Sequence, residues 1–182
     1  MNVAKTFYPK NSKEWRRWLT KNFEKEKEIW LVHYTKASGK ESISYQEALD
    51  EALCFGWIDS IVKKIDSKKR AQRYTPRRAN SPISELNKER LRRLVKSQKV
   101  NKVVLFRIKH ELNKEFVFPK DILEFIKKNK ESWKNFQEFP DYYKVIRIAF
   151  IEGARKRPEE FERRLNNFIK MTSKNKKFGM IT

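Results

Sequence analysis

The chain has 182 residues, 38% of them hydrophobic and 13% aromatic, which is enough for one ordinary domain or two small ones and excludes wholesale disorder. It contains 44 Lys and Arg against 23 Asp and Glu, a net charge of +21, and no apolar run approaches the roughly 18 residues that span a bilayer. A single cysteine excludes an internal disulfide, and because the N-terminus has no apolar signal segment, we expect a cytoplasmic protein.

The positive charge lies mainly in two blocks. Residues 63–109 contain 17 Lys and Arg against 3 Asp and Glu, and residues 155–177 contain 9 against 3. Such blocks attract anions over a Debye length, ~8 Å at physiological salt. The sequence therefore predicts an anionic ligand or polyanion as partner, nucleic acid included. The alternative is a solvated basic surface, because charge alone carries no specificity.

Helix and strand patterns alternate in the first half of the chain. We predict a helix in NSKEWRRWLTKNF, where Asn11 and Glu14 have the spacing of a capping box. A strand is predicted in EIWLVHYTK, which is apolar on both alternating faces. A second helix is predicted in SYQEALDEALCF, capped by Ser44 and Glu47 and ended by Gly56 in a left-handed conformation.

A β-hairpin is predicted next, from the strands WIDSIVKKI and RAQRYT joined by DSKK. Strict alternation would place Trp57, Asp59 and Ile61 on one face of the first strand. Pro76 would end the second strand, because proline cannot donate to a central ladder.

Two polar residues point toward the apolar side of the helix that we expect to start at Ser81 and Pro82. They are Asn87 and Arg90, which fall inside the arc of apolar residues on a helical wheel. The structural interpretation buries Asn87 against the backbone of residues 77–84, since an unpaired buried amide is costly. It also pairs Arg90 with an acidic residue of the hairpin, either Asp59 or Asp66. The functional interpretation has both residues facing a pocket under the hairpin.

The second half of the chain is predicted to be helical, with starts at Pro119, Pro140 and Pro158. The hydrophobic residues of 98–115 follow neither a clear helical nor a clear strand periodicity, and we interpret this stretch as a linker-like segment. The sequence thus predicts an α+β fold with a small antiparallel sheet in the N-terminal half. The predicted division is an α+β domain at 1–97, the segment 98–115 and a helical domain at 116–182.

Metal, nucleotide and thiol chemistry are all disfavoured. His33 and His110 lack ligand spacing with each other or with Cys54, and we expect His33 to be a hydrogen-bonded core residue. Four glycines are too few for the usual phosphate loop. Cys54 would sit at the negative end of a helix, which makes it a poor nucleophile. We predict no metal and no cofactor.

Three segments together resemble the YdeI/OmpD-associated family, also labelled bacteriocin-protection: SISYQEALDEALCFGWIDSIVKKID, AQRYTPRRANSPISELNKER and FIEGARKRPEEFERRL. One departure is Ile83, where the family usually has Trp. The resemblance implies an α+β N-terminal part, a helical C-terminal domain and, from the family's names, tolerance of antimicrobial peptides or bacteriocins. It also marks six motif positions: Asp59, Arg77, Arg78, Ser81, Ser84 and Asn87.

The charge pattern favours a protein that binds an anionic partner through residues 63–109, and the resemblance implies that it is a non-enzymatic stress- or antimicrobial-peptide-tolerance protein. One alternative is a nucleic-acid-binding protein in which Tyr74 stacks on bases between Arg73 and Arg77. The other is an enzyme for a small anionic substrate, with Asp59 as base and Arg77 or Arg90 as anion clamp. The candidate site residues are Asp59, Arg73, Tyr74, Arg77, Arg78, Ser81, Ser84, Asn87 and Arg90. Nothing in the sequence sets the oligomeric state.

Overall fold

The structure is a computed structural model that describes residues 5–78 and 81–179. The chain divides into two compact units. The first comprises Met1–Pro82 and Arg90–Leu112, and the second comprises Ile83–Glu89 and Asn113–Thr182. The predicted α+β class is confirmed, because the described strands all lie in the N-terminal half and helices dominate the C-terminal half.

A mixed four-stranded sheet forms the centre of the first unit. Its strands are β1 (Thr6–Phe7), β2 (Ile29–Tyr34), β3 (Trp57–Lys64) and β4 (Lys69–Pro76), in the order β1-β2-β4-β3. The predicted hairpin is confirmed as the antiparallel pair β3–β4, and β4 also pairs antiparallel with β2. The short strand β1 is parallel to β2, because a helical crossover connects the two.

A bulge in β3 changes which side chains share a face. Asp59 pairs with Tyr74, but the next regular pair is Val62 with Gln72. The prediction that Ile61 follows Asp59 on one face is therefore wrong. An extra residue on one strand shifts the alternation, so Val62 takes the place that strict alternation assigns to Ile61.

Two helices, α1 (Ser12–Asn22) and α2 (Tyr45–Cys54), follow β1 and β2 along the chain. The Trp15 ring of α1 lies 5.7 Å from the ring of Tyr74, and the Trp18 ring lies 5.7 Å from that of Trp57. The indole N–H of Trp15 donates to the carbonyl of Ala48 at 3.0 Å, which connects α1 to α2. The helices therefore cover the sheet face that carries Tyr74 and Trp57.

The predicted caps of these helices are confirmed. The Asn11 side chain accepts a hydrogen bond from the backbone of Glu14, and Ser44 and Glu47 form a complete capping box. Gly56 follows α2 with φ +71°, a left-handed conformation that a side chain would strain.

The segment interpreted as linker-like, residues 98–115, contains a helix, α4 (Lys102–Asn113). Its buried residues Val104, Ile108 and Leu112 recur every four positions and form one stripe. Apolar residues also occupy the exposed side, where Phe106 is 86% accessible. The mixture of buried and exposed apolar residues obscures the helical period in the sequence.

The helix before it, α3, spans Glu85–Lys96. The prediction placed its start at Ser81 and Pro82. Instead, the backbone N–H of Asn87 donates to the hydroxyl of Ser84 at 3.3 Å, so Ser84 is the residue that caps the helix.

Four helices build the second unit around one aromatic core. They are α5 (Lys120–Lys127), α6 (Lys130–Glu138), α7 (Asp141–Glu152) and α8 (Pro158–Ser173). Its buried members include Phe136, Tyr143 and Phe168. Two buried polar side chains tie α6 to α8, since Ser132 donates to the carbonyl of Ile169 and Asn135 to that of Thr172, each at 2.9 Å. Within the described parts of the chain, no helix is long and apolar enough to cross a bilayer.

Candidate anion-binding site

Arg77 is held where helix α2 turns into strand β3. The left-handed Gly56 makes that turn, and its carbonyl accepts a hydrogen bond from the backbone N–H of Arg77 at 2.9 Å. Helix α4 contacts the same point, because a Cβ built on Gly56 would lie 3.4 Å from the side chain of Val104. The end of the hairpin, the end of α2 and the start of α4 therefore meet around Arg77.

A cleft with a volume of about 740 Å³ opens at this junction, and we call it the Arg77 cleft. Its apolar walls come from separate parts of the first unit: Phe23, Phe55, Trp57, Pro76, Val104 and Ile108. Its charged lining residues are Arg77, Arg107, Lys25, Lys27, Glu24 and Glu26. The volume falls within the ~300–1,000 Å³ range of small-molecule sites, and the chemistry combines an aromatic floor with a cationic excess.

The guanidinium of Arg77 is the unusual group in this cleft. Its Nη2 atom is buried and has no hydrogen-bond partner among the described residues. Burial lowers the pKa of Arg77, and the charge of Glu111 opposes that shift. Arginine nevertheless stays protonated in proteins, so one residue that lines the cleft is a partly desolvated cation with a buried donor that lacks a partner.

Two other arginines of the first unit have carboxylate partners. Arg16 contacts Glu51 at 2.7 Å and Arg90 contacts Asp50 at 2.9 Å. A cation withdrawn from water without such a partner is costly. The arrangement at Arg77 is therefore suited to receive an external anion.

The neighbouring arginines differ in their surroundings. Arg73 forms an ion pair with Glu28, through its Nε at 2.9 Å and a second bond from Nη2. Arg78 is exposed. The cluster predicted from sequence thus separates into one tied, one half-buried and one exposed arginine.

Tyr74 cannot stack on bases as predicted. Its side chain is fully buried, because it pairs with Ile29 on the sheet face that Trp15 covers. Burial raises the pKa of its hydroxyl strongly, and the nearby charge of Asp59 adds to the shift. The stacking role in the nucleic-acid alternative is therefore wrong.

Asp59 belongs to a polar network between α2, β3 and β4. One of its carboxylate oxygens accepts hydrogen bonds from the hydroxyl of Tyr45 at 3.0 Å and from the amide of Gln72 at 2.7 Å. Burial raises the pKa of Tyr45 to about 12, and Asp59 contributes to the rise. These bonds fix the carboxylate between three elements, which is a structural role.

The predicted partner of Arg90 is wrong on both choices. Arg90 pairs with Asp50 instead of Asp59 or Asp66. Asp66 lies in the hairpin turn, where its carboxylate accepts the backbone N–H groups of Lys68 and Lys69 at 2.8 and 2.9 Å. A turn carboxylate commonly caps its own backbone, and this use keeps Asp66 away from Arg90.

The motif residues after the hairpin have local roles. Ser81 is exposed, and its backbone N–H donates to the carbonyl of Arg78 at 3.1 Å. Asn87, which we predict to be buried against the backbone of residues 77–84, is half-buried, and the bond to Ser84 uses its backbone N–H. Residues 79–80, which belong to the stretch predicted to bind Asn87, lie outside the described residues.

Cys54 and His33 have the surroundings that the sequence predicts. Burial raises the pKa of the Cys54 thiol to about 11, with the charge of Glu51 adding to it. His33 is 3% exposed, and its Nδ1 lies 3.1 Å from the carbonyl of Ile43. Across the described ranges 5–78 and 81–179, no group of three or more His, Cys, Asp and Glu is placed to hold a metal ion.

Most of the Arg77 cleft is not predictable from the sequence. Phe23, Phe55 and Val104 come from three distant segments, and no local pattern connects them. The available signal was the every-fourth-residue stripe of Val104 and Ile108 in α4, with Arg107 beside it.

Two family models match separate parts of the chain, one on each side of residue 110. A family model described as a domain of unknown function (DUF8412) matches residues 7–105. A second model, described as bacteriocin-protection, YdeI or OmpD-associated, matches residues 115–175. Searches of curated proteins and of solved structures find no match. The chain belongs to the DUF8412 family, whose model covers more than half of it, and residues 115–175 are similar to the YdeI/OmpD-associated, bacteriocin-protection family.

Proposed function

We propose that this protein binds a small anionic ligand with an apolar body in the Arg77 cleft. The observation that carries the proposal is that Arg77 lines a cleft with aromatic walls and that its buried Nη2 atom has no hydrogen-bond partner among the described residues. A bound carboxylate or phosphate group would satisfy that donor.

The lining of the cleft favours a ligand of low charge. The cleft has four basic lining residues, Arg77, Arg107, Lys25 and Lys27, and two acidic ones, Glu24 and Glu26, so its net positive charge is small. Glu26 also forms an ion pair with Lys5. The walls offer apolar area to a hydrophobic body, whose burial contributes about 25 cal/mol per Å². An aromatic or aliphatic carboxylate fits this balance better than a polyphosphate.

A binding function fits the site better than catalysis. The proposed base of the enzyme alternative, Asp59, accepts hydrogen bonds from Tyr45 and Gln72 on one oxygen. Such a carboxylate is positioned by the protein rather than free to take a proton from a substrate. The description of the C-terminal family supports a role in protection against bacteriocins. We therefore propose a non-enzymatic tolerance protein that acts in the cytoplasm.

Nucleic-acid binding is the second candidate function. It is favoured by exposed basic side chains on and beside the hairpin, which are Lys64, Lys68, Arg70 and Arg78. These would contact phosphates without reading sequence, since Tyr74 is buried.

A thermal-stability screen tests the ligand proposal. The panel contains aromatic carboxylates and fatty acids, each measured against sodium chloride of equal ionic strength. A ligand at 100 times its dissociation constant adds about 2.7 kcal/mol of stability, which raises the melting temperature by about 5–10 °C in a protein of this size.

Arg77→Gln and Arg78→Gln are the matched variants for this screen, because each removes one positive charge from adjacent positions. We expect Arg77→Gln to abolish the stabilisation and Arg78→Gln to preserve it. An equal loss in both variants, or a panel that stabilises neither them nor the wild type, would contradict the proposal.

A further inference from the structure

A second cleft, of about 450 Å³, lies at the opposite end of the hairpin from Arg77. We call it the His33 cleft. His33 contributes to its wall together with four basic residues and one acidic residue: Lys36, Lys64, Lys69, Arg70 and Asp66. It shares no lining residue with the Arg77 cleft, so a ligand bound here is independent of the function proposed for the Arg77 cleft.

His33 lines this cleft and has one ring nitrogen without a partner among the described residues. A ring nitrogen beside a carbonyl must be protonated to bond it, so Nδ1 donates to Ile43 and Nε2 keeps a lone pair. The Nε2 atom is buried and lacks a hydrogen-bond partner among the described residues. Burial lowers the pKa of His33 below its ordinary value, the hydrogen bond to Ile43 opposes that shift, and the charge of Arg70 lowers the pKa further, which favours the neutral ring.

The strands beside His33 place like charges next to one another. Arg70 of β4 pairs directly with His33 on one side and with Lys64 of β3 on the other. Like charges directly opposite in an antiparallel pair are destabilising. Lys36 lines the same cleft, whereas Lys69 is partly compensated by Asp66 at 3.5 Å. This end of the sheet therefore concentrates positive charge around a buried, unpaired imidazole nitrogen.

We propose that the His33 cleft binds a phosphate monoester group. Such a group carries between one and two negative charges near neutral pH, because its second pKa is about 6. It would relieve the opposition between Arg70 and Lys64, and lysines are common point-charge partners of phosphate. One proton is shared between Nε2 and a phosphate oxygen, so the complex holds one proton more than the neutral ring and the dianion apart.

The binding test uses the imidazole NMR signals of the full chain, which contains only two histidines, His33 and His110. Glycerol 3-phosphate is titrated at constant ionic strength against sodium chloride. We expect a saturable shift of the His33 signals while those of His110 stay in place. A linear response, or one that chloride reproduces, would overturn the proposal.

Variants separate a built site from diffuse attraction. Arg70→Gln and His33→Asn should each weaken binding about tenfold, the effect of one lost hydrogen bond. Asparagine keeps a donor for the Ile43 carbonyl, and if that variant does not fold, Arg70→Gln decides alone. Lys68→Gln is the control, because Lys68 is exposed in the same turn and does not line the cleft. Equal weakening in Arg70→Gln and Lys68→Gln would overturn the site.

The source of the phosphate is decided with two probes. Glycerol 3-phosphate presents the group in solution, and phosphatidic acid in phosphatidylcholine vesicles presents it at a membrane surface. Saturable binding of the soluble ester supports a metabolite, and binding to the vesicles alone supports a lipid headgroup. Binding to neither overturns the proposal. Arg77→Gln should bind both probes like the wild type, which keeps this test distinct from that of the Arg77 cleft.

Discussion

Arginines that lie close together in this sequence differ in burial and in ion pairing. Arg73, Arg77 and Arg78 lie within six positions, yet the first is tied to Glu28, the second is half-buried and the third is exposed. Charge counts treat the three as equal. Their positions in the sheet and at its end decide which of them has a free donor beside an apolar cleft.

The reactivity of Cys54 follows from its burial. Its pKa is raised to about 11, and only the thiolate reacts with disulfide reagents. We expect Ellman's reagent at pH 8 to leave the native protein unmodified and to modify it fully in denaturant. Rapid modification of the native protein would show that the thiol is accessible and that its pKa is not raised.

Two glycines with the same backbone conformation allow a matched test of packing at the Arg77 cleft. Gly39 and Gly56 have φ of 69° and 71°, but only at Gly56 would a Cβ approach a neighbour, Val104 at 3.4 Å. We expect Gly39→Ala to cost about 1–2 kcal/mol of stability from backbone strain. Gly56→Ala should cost a similar amount in urea unfolding, because a Cβ at 3.4 Å makes ordinary van der Waals contact with Val104. A much larger cost at Gly56 would show that α4 packs too tightly there to accept a methyl group.

At the scale of elements, the capping box of α2 makes stability depend on pH. Hydrogen bonds from the hydroxyl and the backbone N–H of Ser44 lower the pKa of Glu47. The ionised Glu47 therefore stabilises the folded state above its unfolded pKa of about 4.3, and this stabilisation is lost as the pH falls through the folded value. The stability difference between wild type and Glu47→Gln should be constant near pH 7 and narrow below pH ~4. A difference that widens on acidification would contradict this.

Elements set by local interactions could be predicted, and elements set by tertiary contacts could not. The caps at Asn11, Ser44 and Gly56 depend on neighbours within four residues, so the local sequence predicts them. The bulge after Asp59 depends on how β3 pairs with β4, and α4 is recognisable mainly by what it buries. The candidate site follows the same rule, since Arg77 was identified while the walls that make its position unusual were not.

At the scale of the whole molecule, two family models fall on separate parts of the chain. Residues 7–105 match one family and residues 115–175 the other. Both candidate clefts are lined by residues of the first unit. The proposed binding functions therefore belong to the first unit, where all lining residues except Arg107 and Ile108 fall within the DUF8412 match. The proposed protective role rests on the description of the family that matches residues 115–175.

The distribution of charge predicts how an oligonucleotide would bind. Each phosphate contact contributes a slope of about −0.7 on single strands in a plot of log affinity against log salt. The double variant Arg70→Gln/Arg78→Gln should make this slope less negative by the contribution of up to two phosphate contacts, because both side chains are exposed. Lys13→Gln with Lys21→Gln, two exposed residues of a nearly neutral segment, should leave it unchanged. Equal effects of the two pairs would show non-specific attraction to the whole surface.

The most direct test of the Arg77 cleft is the dissociation constant of the best ligand from the thermal screen, measured by calorimetry on the wild type and three variants. Hydrogen bonds to charged groups contribute about 1.5–3 kcal/mol, so Arg77→Gln should weaken binding by about 10- to 150-fold. The affinity of Arg77→Lys should lie between those of the wild type and Arg77→Gln, because lysine keeps the charge and loses the planar pair of donors. We expect Arg78→Gln to bind like the wild type. Unchanged affinity in Arg77→Gln would contradict the assignment of this cleft as the ligand site.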